Sequence, residues 1–435
     1  MPEITRVDVV ANARREDERD VRDEGVRMQT RGFLMIVAFL LVGLVSLGAY
    51  ALWRDVGRGP ATKAAATQSN EERRDSDAAA RTGEEDRVEQ LLEGMTLEQK
   101  IAQLFVVTPE AVTGAECAVK AGDATREALT AYPVGGVCYF AQNMVNKTQA
   151  AEMLRGTKYY IKDACGVVPF LCVEEEGGTV VRVADNTAFG LDNVGDMRAI
   201  GNRGDVEEAR LAARTVGAYL NDLGFNLNLA PVADVDVSVD GTMSERSFGS
   251  DPHLVADMVC AQIDGFTREG VLCAAKHFPG IGGAEGDPHN GRIYSYKTAE
   301  EMEQFELIPF KAAIEHDVPV IMVGHLSCLE LGRGEGDLPA SLSPAAIDGL
   351  LRKTLGYNGV VITDSLQVDA VRDICDASQQ AVLAIKAGAD LVLMPKDFHS
   401  AYSGLLEAVR EGSIPESRID ESMRRIIRTK LLLPS

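Results

Sequence analysis

The stretch Lys276–Gly291, KHFPGIGGAEGDPHNG, holds two of the six histidines of the chain and sets Asp287 and His289 on either side of Pro288. A carboxylate two residues from an imidazole can hold one ring nitrogen while the other faces a substrate, which is how a general acid/base is oriented. The glycines let such a loop fold back over a strand end. Spacing alone also fits a surface loop with an incidental Asp and His. Other polar groups stand at the ends of apolar runs: Glu174, Asp234, Lys276, His277, His325 and Asp364. Brought to one face they form a pocket with carboxylates, imidazoles and an amine; taken singly, each is equally the polar punctuation of a strand end.

The elements that must position these groups are legible as a repeat. Short apolar runs recur at 104–108 (LFVVT), 134–140 (VGGVCYF), 170–175 (FLCVEE), 225–232 (FNLNLAPV), 271–278 (VLCAAKHF), 318–325 (VPVIMVGH), 359–365 (GVVITDS) and 390–395 (DLVLMP). Between them lie longer amphipathic stretches such as Val206–Leu223 and Ala377–Ala387. Runs apolar on both faces and separated by helices indicate a parallel sheet covered by helices. The repeat predicts an α/β fold, a (β/α)8 TIM-type barrel in a single domain, although five or six of the runs would also suit a doubly wound sheet. In a barrel the carboxyl ends of the strands share one face, and that face carries the chemistry. Thr96 and Gln99 in TLEQ form a capping box that opens a helix, so the folded unit is expected from near Arg87, over 87–435.

With 435 residues and 46% hydrophobic content the chain can bury a large core. A formal net charge of −22 argues against nucleic acid as a partner, since phosphates need a cationic face. Gly32–Trp53 is an uncharged apolar run, long enough at about 1.5 Å per residue to cross a roughly 30 Å hydrocarbon core. The sequence thus predicts a cytoplasmic tail over 1–31, an uncleaved transmembrane anchor over 32–53 and a disordered linker over 54–86. The catalytic part would then lie outside the cell membrane as a single-pass protein. The eight cysteines show no CxxC and no close-spaced framework, so neither a zinc ribbon nor a disulfide scaffold is indicated.

KHFPG followed by DPH resembles the signature loop of family 3 glycoside hydrolases, in their β-N-acetylglucosaminidase branch. Further likenesses follow the family order: EEEGGTVVRV (Glu174–Val183), FNLNLAPVADV with ERSFGSDP (Phe225–Val235, Glu245–Pro252) and GVVITDSLQVDAV (Gly359–Val371). Together they cover about Leu91–Leu432. The resemblance implies a retaining β-N-acetylhexosaminidase acting on a carbohydrate, such as cell-wall N-acetylglucosaminides, with neither cofactor nor metal. It makes Asp364 the nucleophile, His289 the acid/base and Asp287 its orienting partner. Glu174, Arg182, Arg246, Lys276 and His277 become sugar-binding groups, Glu174 standing where the family usually has Asp. Retaining chemistry requires such a set: a carboxylate to form the glycosyl-enzyme ester, and a group that first gives and then takes a proton. Three rival readings remain at this point. One is a metal site built from His277, Asp287, His289 and His325; another is a barrel that binds glycans without cutting them. The third is a phosphorylase or a glycosidase of other sugar specificity.

Overall fold

The computed structural model describes residues 82–433 apart from 239–240, 285–286, 288–290, 333 and 335–336. The chain divides into two units, 1–83 and 84–435, and the second contains the fold. Eight strands form one parallel sheet: β1 (Phe105–Val107), β2 (Gly136–Cys138), β3 (Phe170–Val173), β4 (Leu227–Asn228), β5 (Leu272–Phe278), β7 (Val320–Val323), β9 (Val360–Thr363) and β10 (Val392–Leu393). The order is β10-β1-β2-β3-β4-β5-β7-β9. A parallel bridge between Ile362 and Leu391 joins the two ends into a near-closed barrel. Each of the eight apolar runs supplies one barrel strand, because residues buried on both faces can rest only between a filled barrel interior and covering helices.

The covering helices are built as their sequences dictate. Val206–Leu223 is capped by the Asp205 side chain and ends at Gly224, whose φ of 101° suits only glycine. Its apolar stripe (Ala209, Ala213, Val216, Leu220) packs on helix Pro252–Arg268. The approach there is close: a Cβ on Gly265 would stand 2.6 Å from the Ala213 Cβ. Thr96 and Gln99 make the expected capping box at the head of Leu97–Gln103. Upstream of it, Glu89 and Glu85 are paired with Arg424 and Arg428 of the last helix, Glu416–Leu431. At the amino-terminal end of the barrel the buried Asp390 locks the seam. It accepts the Val361 N–H at 2.9 Å, the Ser422 hydroxyl at 2.7 Å and the Arg352 guanidinium at 2.5 Å. Two more strands, β6 (Ile293–Ser295) and β8 (Leu326–Cys328), pair with each other above the carboxyl end of β7. Three residues each, they are too short to leave a periodic signal.

The transmembrane anchor is corrected here. Among the described residues no helix is long and apolar enough to cross a membrane. The longest helix among the described residues, Lys147–Cys165, is amphipathic and carries Glu152, Arg155, Lys158 and Asp163, so it covers the barrel on one face only. Residues 32–53, where the span was expected, lie outside the described residues, as do the tail over 1–31 and most of the linker. The attachment to a membrane through one helix, and the single-pass location that followed from it, are therefore set aside.

Candidate active site

The carboxyl ends of β3, β5, β7 and β9 bring the expected strand-end groups to one face. Lys276, on β5, is fully buried and reaches Glu176 at 2.7 Å and Glu174 at 3.2 Å. Arg246 grips both oxygens of Glu176, at 2.8 and 2.7 Å, and Arg182 donates to Glu174 at 2.9 Å. The result is a continuous chain, Arg182–Glu174–Lys276–Glu176–Arg246, with three cations on two carboxylates. Burial pushes the Glu176 carboxyl up, yet Lys276 and Arg246 outweigh it and hold it down to about 2. Burial likewise disfavours the Lys276 ammonium, but Glu176 and Glu174 raise it above the ordinary lysine range. Both stay charged at neutral pH, and a charged donor or acceptor makes the stronger hydrogen bond to a ligand hydroxyl. Arg182 lies 5.5 Å over the Phe140 ring, and its buried Nε has no hydrogen-bond partner among the described residues.

The neighbouring imidazoles are oriented with equal care. Asp234, fully buried, accepts the His277 backbone N–H at 3.1 Å, His277 Nδ1 at 2.7 Å and the Ile281 N–H at 2.7 Å. His325 Nε2 stands 2.8 Å from the Ser365 carbonyl, which can only accept, so Nε2 carries a proton. Its Nδ1 faces the Ser341 hydroxyl at 2.7 Å. With both nitrogens engaged, His325 is taken out of the metal-site reading. Asp364 follows β9, half-buried, with the Ser365 N–H donated to its Oδ1 at 2.7 Å. Burial raises the Asp364 carboxyl, but the charges of His325, His277 and Lys276 bring it below the ordinary carboxylate range. The charged form of the Asp364 carboxyl is thus favoured in spite of its burial.

Of the proposed dyad, Asp287 is half-buried and His289 lies outside the described residues. The other candidate residues, Glu174, Arg182, Arg246, Lys276, His277 and Asp364, fall on this one face. Sequence reasoning passed over what holds them. Glu175, fully buried, accepts the N–H groups of Arg182, Val183 and Ala184 at 2.6, 2.9 and 2.9 Å, and the Tyr219 hydroxyl at 2.8 Å. It thereby ties the loop that carries Arg182 to the end of β3. Arg198 does the same for Arg246, donating to the Ser244 carbonyl at 2.9 Å and pairing with Asp236. The signal for Glu175 was the run of three glutamates closing a buried strand, which obliges each carboxylate to find donors. Glu175→Ala is expected to leave these donors unpaired at about 1–3 kcal/mol each. Its melting temperature should fall, with KM for substrate rising more than kcat falls as Arg182 loosens. Glu175→Gln keeps one acceptor oxygen and should lie between; thermal melts with steady-state kinetics check both.

Three comparisons place this architecture among known proteins. The model of the family described as "Glycosyl hydrolase family 3 N terminal domain" matches residues 96–429. "Beta-hexosaminidase LpqI" of Mycobacterium tuberculosis is 32% identical over 342 residues, covering 76% of this chain and 82% of that protein. "Beta-hexosaminidase A" of Pseudoalteromonas piscicida is 30% identical over 329 residues, 71% of this chain but only 55% of its own length. The solved structure of a family 3 β-N-acetylglucosaminidase from Paenibacillus sp. str. FPU-7 superposes with a TM-score of 0.73 at 33% identity, over 78% of this chain and 62% of that one. The chain thus spans little more than half the length of some relatives it matches.

Proposed function

The chain belongs to glycosyl hydrolase family 3, and on that premise we propose that it is a retaining β-N-acetylhexosaminidase releasing terminal β-linked N-acetylglucosamine from glycans. The relatives named hexosaminidase and N-acetylglucosaminidase support the substrate class. The observation that carries the reading is the place of Asp364, at the carboxyl end of β9 on the same barrel face as His277, His325 and the clamp of Lys276 with Glu174 and Glu176, a set of paired charges suited to hydroxyl groups. Asp364 attacks the anomeric carbon from one face of the sugar while His289, oriented by Asp287, protonates the leaving oxygen. The glycosyl ester then breaks as His289 takes a proton from water. The Glu174–Lys276–Glu176 chain, with Arg182, Arg246 and His277, holds the sugar so that this approach is in line.

Glu174 supplies the test of the sugar. Its two oxygens reach Arg182 and Lys276 separately, at 2.9 and 3.2 Å. Losing one methylene would pull the carboxylate back by about 1 Å, a misplacement that can cost on the order of a hundredfold in rate. On a panel of aryl β-glycosides the wild type is expected to prefer the N-acetylglucosaminide to the glucoside. Glu174→Asp should lower kcat/KM on the N-acetyl substrate by at least about tenfold. A clear gain for that variant on the N-acetyl substrate would sink the assignment of the sugar.

A further inference from the structure

The strand-end imidazole of His325 takes part in neither the sugar clamp nor the proton transfer, yet the fold builds a fixed seat for it. It stands two residues beyond β7 and is 1% exposed. Gly324, just before it, donates its N–H to the Phe278 carbonyl of β5 at 2.9 Å. The approach is close enough that a Cβ on Gly324 would stand 3.0 Å from the His277 Cβ. The fully buried Ser341 then grips the segment at two points: its N–H donates to the Gly324 carbonyl at 3.1 Å, and its hydroxyl meets His325 Nδ1 at 2.7 Å. One serine thus fixes both the backbone at His325 and the rotation of its ring.

The other ring nitrogen reaches the residue that follows Asp364. His325 Nε2 donates to the Ser365 carbonyl at 2.8 Å, and the Ser365 N–H donates in turn to Asp364 Oδ1 at 2.7 Å. Asp364 itself donates its N–H to the Val323 carbonyl at 2.8 Å. The carboxylate therefore stands on a turn anchored to the end of β7 twice, through main chain on one side and through His325 on the other. Without the Nε2 bond the Ser365–Leu366 peptide keeps a single anchor, the Leu366 N–H on the Leu393 carbonyl at 3.1 Å. Burial raises the Asp364 carboxyl, and of the charges that bring it down His325 comes first, ahead of His277 and Lys276, which places the ring within electrostatic reach of the carboxylate. Attack on an anomeric carbon tolerates little displacement, since a misplacement of about 1 Å can cost on the order of a hundredfold in rate.

We infer that His325, seated by Ser341, is a positioning residue that acts through the Ser365 backbone to present the Asp364 carboxylate to the sugar. This rests on the functional reading above, and Asp364→Ala assayed on the same aryl N-acetylglucosaminide separates the two. The side-chain nitrogen of asparagine falls near the place of Nδ1 and that of glutamine near Nε2, so the two amides divide the ring's two bonds between them. His325→Asn, which cannot reach the Ser365 carbonyl, should lower kcat/KM by about ten- to a hundredfold. The inhibition constant of free N-acetylglucosamine, which reads the sugar clamp alone, should stay within about twofold, because only the transition state has lost an interaction. His325→Gln keeps a donor toward Ser365 and should recover most of the loss. Ser341→Ala deletes a single oxygen and carries the test should the His325 variants fail to fold: about a three- to tenfold fall in kcat/KM, the scale of one hydrogen bond, with the same unchanged inhibition constant. Equal losses in the two amide variants, no loss in His325→Asn, or a weakening of N-acetylglucosamine binding in step with the rate would overturn the positioning role while an inactive Asp364→Ala leaves the glycosidase in place. An Asp364→Ala variant as active as the wild type would instead remove the functional reading itself.

Discussion

Asp364→Ala is expected to reduce turnover of an aryl N-acetylglucosaminide by at least about a thousandfold, a barrier increase of about 4 kcal/mol. Without the carboxylate no glycosyl ester can form, and no other group among the described residues replaces it at the end of β9. Azide, small enough to occupy the space vacated, should restore part of the rate. Asp364→Asn, which keeps an acceptor for the Ser365 N–H, should be equally inactive while melting like the wild type. The acid side of the pH profile follows from the same geometry. The folded carboxyl ionises below the ordinary carboxylate range because His325, His277 and Lys276 overcome its burial. The charged form needed for attack therefore persists as pH falls through that range, and nucleophile protonation limits the rate only below it. Retention of more than about a tenth of wild-type activity by the alanine variant would remove Asp364 from this role.

The second large effect is selective. His289→Ala should depress cleavage of substrates with poor leaving groups by about a hundredfold or more, the usual scale of positioned proton transfer. Activated aryl glycosides, whose leaving group departs without a proton, should lose far less in the first step. Asp287→Ala should follow the same pattern more mildly, because the proposed mechanism gives it the orienting of the ring and not the proton transfer itself. A Brønsted plot of kcat/KM against leaving-group pKa reads this directly: a steeper slope in the variants supports proton donation. An unchanged slope with a uniform loss would make His289 a sugar-binding group.

The barrel could be read before it was seen because a parallel barrel leaves a plain signal: strands apolar on both faces, spaced by amphipathic helices and preceded by the capping box at Thr96. The end groups Glu174, Lys276, His277 and Asp364 were legible for the same reason, since a charge that closes a buried run must face the one end where chemistry is possible. The resemblance to the family added what spacing could not, Arg182 and Arg246, which sit on loops with no period. Glu175 and Arg198 were missed because they act through backbone groups of distant loops, and such pairing has no sequence spacing. The pair β6–β8 was missed through brevity. The apolar run at 32–53 was legible as a pattern but says nothing of the fold that follows it, which stands on the residues from 84 onward.

The central claim is a covalent intermediate on Asp364, and one measurement addresses it most directly. The enzyme is incubated with a 5-fluoro-N-acetylglucosaminyl fluoride, whose ring fluorine slows both steps by destabilising the oxocarbenium-like transition states while the fluoride leaving group lets the first proceed. Protein mass is then recorded, followed by peptide mapping after proteolysis. The account predicts a single added glycosyl unit, borne by the peptide that contains Asp364. A label on a different carboxylate, or no label together with inverted configuration in the released sugar, would contradict it.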